Sequence, residues 1–180
     1  GRVETTDTED IAAFQGAGLF PNGESEPEEA GLRVPPVLTK TWYHTGAFLN
    51  GESMADQAAT EYYAGDAFSA PTPTVFPTAL SDAEMREACR ALKGRLLRRE
   101  VYALDGTNRA PHPFTVSQEG VEVLKIQPKG KNLHGVFLAM TRDKREIYYE
   151  RRPDDPRIQH DVVLETDAYG NALKSVSIGY

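Results

Sequence analysis

The side chains able to do chemistry are few and scattered. The imidazoles are His44, His112, His134 and His160. No two stand four apart and no His-Glu-x-x-His occurs, so no helix face pairs two of them on a metal. His112 sits between Pro111 and Pro113 in an expected loop. The single thiol, Cys89, falls on the apolar stripe of an expected helix and reads as a small, inert core residue. One cysteine cannot close a disulfide within the chain. Gly16-Ala17-Gly18 lacks the preceding strand and following helix that a phosphate-binding turn needs. There is no Gly-x-Ser-x-Gly elbow and no P-loop. The acidic groups Asp154-Asp155 and Glu24 to Glu29 read as solvated charge, the first in a proline-bracketed turn and the second in a charge run. The expectation is therefore no catalytic residue, no cofactor and no metal. An enzyme would need a pocket joining His44, His112 or His160 to a carboxylate.

What recurs instead is turn and strand chemistry. Asp161 to Thr166 and Ala172 to Tyr180 alternate apolar and polar residues around Asp167-Ala168-Tyr169-Gly170-Asn171. That pattern predicts a β-hairpin, with Gly170 or Asn171 supplying the positive φ of the turn. Val162 and Leu164 are expected on one face of the first strand, and Leu173, Val176 and Ile178 largely on one face of the second. Tyr169 is expected to pack over the turn and anchor it. The second strand reaches the last residue with nothing after it to cover it, which suggests a piece of a larger β-structure with a sticky edge.

Further elements must position these segments. Ser81-Asp82-Ala83-Glu84 has the form of a capping box. Met85, Ala88, Cys89 and Leu92 then fall at i, i+3, i+4 and i+7, so the spacing predicts a helix over 82–93. Gly94 is its expected cap. Val34 to Gly46 starts with a stiff Pro-Pro segment and then predicts a strand, with Val37, Thr39, Thr41 and Tyr43 on one face and Leu38, Lys40, Trp42 and His44 on the other. Met54 to Phe68 reads as a short helix or irregular loop anchored by Tyr62, Tyr63 and Phe68. Pro71, Pro73 and Pro77 make residues 69–80 an extended connector. Strands are then expected at Leu96 to Leu104, Phe114 to Val116, Val121 to Gln127, Val136 to Met140 and Ile147 to Arg151. Turns at Asp105-Gly106, Pro128 to Gly130, Arg142-Asp143 and Pro153 to Pro156 separate them. The fold class is mainly β, with a minor helical part: a curved antiparallel sheet with one clear helix near 82–93 and irregular loops in the N-terminal half.

Charge divides the chain. Residues 1–80 hold 12 acidic and 3 basic side chains, and residues 81–180 hold 15 and 17, within a net charge of -7. An acidic first half repels phosphate backbones, and the second half is mixed in sign rather than patched, so nucleic acid is not an expected partner. No apolar run approaches the ~20 residues of a membrane-spanning helix, and the first residues show no apolar signal segment. Residues 1–34 read as an acidic arm or linker, and 35–180 as one β-rich segment.

Six ordered blocks in 35–180 resemble a known family, the B component of bacterial insecticidal Tc toxin complexes (the SpvB/TcB group), in the region after its middle β-propeller. They are Thr39 to Gly46 (with Trp42, Tyr43 and His44), Arg90 to Gly94 (with Leu92), Arg99 to Gly106 (with Tyr102 and Asp105), Tyr149 to Arg151, Asp155-Pro156-Arg157, and Asp167-Ala168-Tyr169-Gly170-Asn171 through Ser177. The resemblance implies a scaffold leading into the Rhs/YD-repeat shell, which encloses the toxic part of the C component. It implies partners in the rest of the B component and the C component shell, with the A pore component reached indirectly. It implies a secreted complex, with no membrane contact by this segment. The motif residues would fix turns and strand pairings. The ADP-ribosylating activity of some relatives lies in other domains, so it does not carry over. The exposed edge implies self-association of the isolated chain. The alternative is a free-standing β-rich binding module for carbohydrate or a receptor surface, which exposed Trp42, Tyr62 and Tyr63 in one cleft would favour.

Overall fold

A computed structural model describes residues 35–49, 58–65 and 67–180 in full, and residues 2–6 and 52–53 as backbone. Its centre is a seven-stranded antiparallel sheet in the order β1-β2-β5-β6-β7-β8-β9. The strands are β1 Arg2–Thr6, β2 Val37–Tyr43, β5 Leu96–Ala103, β6 Thr115–Gln127, β7 Val136–Tyr148, β8 Arg157–Thr166 and β9 Ala172–Gly179. A separate two-stranded ladder joins β3 Phe48–Leu49 to β4 Glu52–Ser53. The acidic-arm expectation for 1–34 lies outside the described residues, except that the backbone of β1 pairs with β2.

Helix α1, Asp82–Ala91, forms where the capping box stands. Ser81 Oγ accepts from the Glu84 amide, and the Glu84 carboxylate accepts from the Ser81 amide. The helix stops two residues before the expected end, because Leu92 is its C-cap and Gly94 turns the chain with φ +82°. Ala88 and Leu92 pack on Val121 and Val123 of β6, with Phe76, Leu80, Phe137 and Ala139 around them. Cys89 is buried, as its position on the stripe predicts.

Of residues 54–68, those described are 58–65 and 67–68, and Ala58 has a helical backbone. Two 3-10 turns, Ala59–Glu61 and Ala67–Ser69, occupy part of the stretch. They begin a strap over the sheet that runs to Phe76. At its far end Val75 bridges β6, with its amide on the Val121 carbonyl and its carbonyl on the Val123 amide. The pairing fills the side of β6 that β5 does not reach, since β5 pairs only with Thr115 to Gln118.

One expected turn is absent, and four of the expected short strands merge into two long ones. Phe114 to Val116 and Val121 to Gln127 belong to one strand, β6, and Val136 to Met140 runs into Ile147 within β7. Arg142-Asp143 is a point where the register shifts rather than a turn, since Gly120 pairs with Asp143 but Val121 with Thr141. A bulge takes up one extra residue and keeps the ladder running. The chain reverses later, at Tyr149 to Arg152, where Glu150 and Arg151 both take positive φ.

Register explains the sheet's two faces. One carries Val116, Ile147 and Ile158 side by side, and this second apolar cluster closes with Tyr149 and Tyr63. The opposite face carries Glu119, Lys144, Asp161 and Ser177 in one cross-strand row. Lys144 pairs with Glu146 at 2.9 Å, and Ser117 donates to Glu146 at 3.0 Å. The Glu146 contact raises the Lys144 pKa, and the Ser177 contact lowers that of Asp161. One apolar and one polar face is the ordinary division of an antiparallel sheet.

Removing the Ser81 cap leaves the Glu84 amide without its acceptor. Ser81→Ala is expected to lower stability by about 1 kcal/mol, read as a shifted urea midpoint at unchanged slope.

Candidate functional site

Three arrangements account for most of the residues singled out in the sequence. The first is buried within the sheet. Arg98 and Glu100 of β5 have fully buried side chains and pair at 2.6 Å. The Arg98 guanidinium also donates to the Ser69 carbonyl at 2.7 Å, to Gln118 Oε1 at 3.0 Å and to the Tyr63 carbonyl at 3.2 Å. It lies over the Tyr62 ring, 4.9 Å from its centroid. Glu100 accepts in turn from the Tyr63 amide at 2.8 Å and the Tyr102 hydroxyl at 2.6 Å. Burial, then the Glu100 carboxylate, pushes the Tyr102 hydroxyl well above its ordinary pKa. Gln118 donates to the Phe68 and Ala70 carbonyls. The network therefore ties the strap, an irregular segment with no ladder of its own, to β5 and β6.

Trp42 belongs to the same neighbourhood. It is 4% exposed, donates to Glu61 at 2.8 Å and meets Tyr62 edge-on. Tyr43 is exposed where the β2–β5 register shifts. His44 follows with its backbone held by Arg95 and Gly94. Burial, helped by the Arg95 charge, lowers its pKa to about 4, so the ring is neutral at neutral pH. Leu92 is a core residue.

The second arrangement clasps two turns. Arg151 reaches Asp105 with both terminal nitrogens, at 2.7 and 3.0 Å, and touches Thr107 Oγ1 at 2.7 Å. Its guanidinium covers the Phe114 ring. Asp105 also accepts from the amide and hydroxyl of Thr107, in the turn that contains Gly106. The Arg151 contact, with those of Thr107, lowers the Asp105 pKa to about 2. Tyr149 is buried against Tyr63, and Tyr63 contacts His112 Nδ1 at 3.1 Å. Pro156 and Arg157 open β8, where the exposed Arg157 pairs with Glu150 at 3.1 Å.

The third is the β8–β9 hairpin. The Asp167 carboxylate accepts from the amides of Tyr169 and Asn171 and from Asn171 Nδ2, at 2.8 to 2.9 Å. These bonds hold its pKa below the usual carboxylate range. Gly170 takes φ +86°, and a Cβ there would lie 2.9 Å from Met140 Sδ. The positive φ favours glycine here, and a Cβ would also have to displace the Met140 and Leu138 side chains. Tyr169 does not pack over the turn. It is 84% exposed, because the Asp167 bonds leave the turn complete without it. Leu164, Leu173, Val176, Ile178 and Tyr180 are exposed as well. Val176 and Ile178 lie opposite Val162 and His160 on one face of the hairpin, whereas the β8–β9 register shifts at Leu173, which has no cross-strand partner in it.

The histidines do not converge. His160 lies 3.5 Å from Asp143, which Arg145 approaches at 3.7 Å. His134 contacts Glu87 at 2.8 Å. His112 and His44 stand elsewhere, against Tyr63 and Arg95. Among the described residues no three His, Cys, Asp or Glu side chains form a group able to hold a metal. A cleft of about 260 Å³ opens beside the strap, lined by Tyr62, Tyr63, Ser69 and Pro71 among others. Trp42 is not among its lining residues, against the expectation for an aromatic binding cleft.

Sequence reasoning missed the Arg98–Glu100–Gln118 network. Arg98, Glu100 and Tyr102 share a face by alternation, as do Leu97, Arg99 and Val101. Both faces read as mixed, so hydrophobicity alone does not choose between them.

Comparison with known proteins adds the following. A family model described as insecticide toxin TcdB middle/C-terminal region matches residues 87–180. A crystal structure of TcdB2-TccC3 is similar at 32% identity and TM-score 0.73, over 82% of this chain. A TcdB2-TccC3-Cdc42 structure gives 33%, 0.73 and 84%. The Photorhabdus luminescens Tc holotoxin pore gives 30%, 0.68 and 84%. This chain spans about 7% of the length of each. Comparison with curated proteins gave no match.

Arg98→Ala strands Glu100 in the interior and is expected to lower stability by about 3–5 kcal/mol, whereas Arg157→Ala at the exposed pair is expected to change it by under ~1 kcal/mol. Urea unfolding of both variants measures the contrast. Asp105 predicts an acid effect. Its folded pKa of about 2 lies below the ordinary 3.8, so its stabilisation is present above about pH 4 and lost as pH falls toward 2. The stability difference between wild type and Asp105→Asn is expected to close over that window.

Proposed function

The chain belongs to the insecticide toxin TcdB middle/C-terminal family, and from that premise we propose that it is a structural, assembly-forming segment of a Tc-type toxin B component. Its sheet would contribute to the β-shell that encloses the toxic part of the C component. The observation that carries this reading is β9. Among the described residues it pairs with β8 alone, and it leaves apolar side chains exposed along a complete strand. A sheet that continues past this segment pairs the free edge with a further strand and covers those side chains.

On this reading the segment acts by holding shape. The Arg98 network locks the strap to the sheet, the Asp105–Arg151 clasp fixes two turns, and the Asp167 turn sets the angle at which β9 leaves β8. Partners would be the remainder of the B component and the C component shell, with the A pore component reached indirectly and secretion as part of the complex. Residues 35–180 would form one β-rich segment, with 1–34 a linker before it. The reading assigns no reaction to the segment.

The binding-module alternative is weakened by Trp42, whose ring is buried and whose indole N–H is already bound to Glu61.

The test is reconstitution. Tagged chain is mixed with a B component lacking this segment and with its C component. Stoichiometric recovery of all three is the expected result. A folded chain that ignores both partners would overturn the scaffold reading and return attention to the cleft beside Tyr62 and Tyr63.

A further inference from the structure

We propose that His44 is a proton-sensitive latch. Its neutral ring closes the joint between the end of β2, the C-terminus of α1 and the start of β5, and the gain of a proton releases residues 44–49 from the helix.

The joint is built from few bonds. The ladder of β2 on β5 shifts register between Trp42 and Tyr43 and ends there, opposite Leu96. His44 carries the contact one residue further. Its amide donates to the Arg95 carbonyl and its carbonyl accepts from the Gly94 amide, both at 2.9 Å. Gly46, at φ +75°, then lies against the end of α1, where a Cβ would stand 3.0 Å from Lys93 Cβ and 3.3 Å from the Cys89 carbonyl oxygen. Phe48 follows, with the Arg86 guanidinium 6.0 Å from its ring centroid. Beyond Gly46 the contact is shallow, since Phe48 is half-buried and Leu49 is exposed. Opening at 44–49 therefore breaks two backbone bonds and uncovers little apolar surface besides the imidazole, and the rest of the sheet can stay closed.

The ring holds the joint shut. His44 is buried, and its Nε2 has no hydrogen-bond partner. A neutral imidazole tolerates that, because one of its nitrogens is only an acceptor. A protonated ring carries N–H on both nitrogens, and a buried donor without an acceptor is costly. The surrounding acceptors are already engaged. The Cys89, Arg90 and Leu92 carbonyls at the end of α1 accept from the Leu92, Lys93 and Arg95 amides. The Ala139 carbonyl and Thr141 hydroxyl of β7 accept from Arg95 at 3.0 and 2.7 Å. Those two bonds also keep the Arg95 guanidinium from withdrawing when a second positive charge forms beside it.

The charged groups that the packed elements bring to this joint are cationic, namely Arg95 before β5 and Arg90 and Lys93 of α1. The Cys89 thiol is kept neutral by burial, which raises its pKa. Of the neighbouring carboxylates, Glu61 is bound to the Trp42 indole, and Glu87 to His134 and the Gly135 amide. Burial first, and the Arg95 charge second, lower the His44 pKa from 6.5 to about 4. The released chain takes up its proton near the ordinary value, whereas the closed joint resists until about pH 4. Closure is thus intact above pH 7 and weakens as pH falls from 6.5 toward 4, by about twentyfold between pH 7 and pH 5.

Amide exchange read by NMR tests this, as protection factors that remove the intrinsic pH dependence. Protection at the His44 and Gly94 amides is expected to fall about twentyfold from pH 7 to pH 5. That of the Asn171 amide, closed by the Asp167 carboxylate at the far hairpin, is expected to stay level. His44→Gln removes the titrating group and is expected to flatten the profile at Gly94. Should that variant fail to fold, the wild-type His44 ring shifts still decide, with a titration midpoint well below 6.5 expected. Equal protection at both pH values, the same fall in His44→Gln, or a ring midpoint near 6.5 would overturn the proposal. So would a parallel fall at Asn171, which would mean that the joint opens only with the whole fold.

Discussion

The buried pairing of Arg98 with Glu100 is the constraint on which the rest of the covered face depends. Two ions inside a protein are unfavourable unless each is fully bonded. Here Arg98 spends its remaining donors on two strap carbonyls and Gln118, and Glu100 takes the Tyr63 amide and the Tyr102 hydroxyl. Every one of those groups needed a partner, because an irregular segment laid over a sheet buries backbone that no ladder satisfies. The ion pair is thus the means by which a loop can serve as a roof. Tyr63 follows directly: held at its amide and carbonyl, its ring reaches Tyr149 and closes the apolar cluster of Val116, Ile147 and Ile158.

The interior is consequently not one continuous apolar core. A polar belt of Gln118, Arg145, Asp143 and His160 crosses β6, β7 and β8 between the two apolar clusters. The belt runs where the strap changes from 3-10 turns to an extended chain, and where Gly120 leaves room for Thr72 and the Asp143 carboxylate. Such an interior specifies register strongly. Slipping β7 by one residue would move Arg145 to the polar face and bring Lys144 under the strap, so apolar clusters and ion pairs would fail together.

How much of this was legible follows from the range of each interaction. The capping box of α1 and the turn at Asp167 are local. Residues within five positions supply every bond, and both appear where the sequence places them. The one local error, Tyr169, arose because an aromatic in a turn was given a packing role that the Asp167 carboxylate had already filled. The long strands β6 and β7 were broken in two, β7 because Arg142-Asp143 looks like a turn in isolation and β6 because only Phe114 to Val116 and Val121 to Gln127 read as strand. A bulge joins the pieces here, and only the register with the partner strand reveals it. The Arg98 network was illegible for the same reason at greater range, since its members lie in β5, β6 and a strap some 30 residues upstream. The B-component resemblance was legible, because it rests on ordered short blocks that include the turns.

The contrast between the two margins of the hairpin bears on what the segment is for. Its inner strand, β8, is registered on β7 from Asp143 to Tyr148, with Ile158 against Ile147. Its outer strand, β9, has no core contact comparable to that, and every residue in it is exposed. Yet β9 is not loosely held. The Asp167 turn is closed by the Tyr169 and Asn171 amides, the Asn171 side chain and the Gly170 conformation, and Tyr180 is tied back to Ile158 at the far end. An edge meant only to end a sheet is better short, charged or twisted away. A full-length strand pinned at both ends, with outward backbone groups and apolar side chains presented in order, is preorganised for another strand. β9 is thus ordered before any further strand arrives, which is the condition under which backbone hydrogen bonds and a few apolar side chains suffice to extend a sheet.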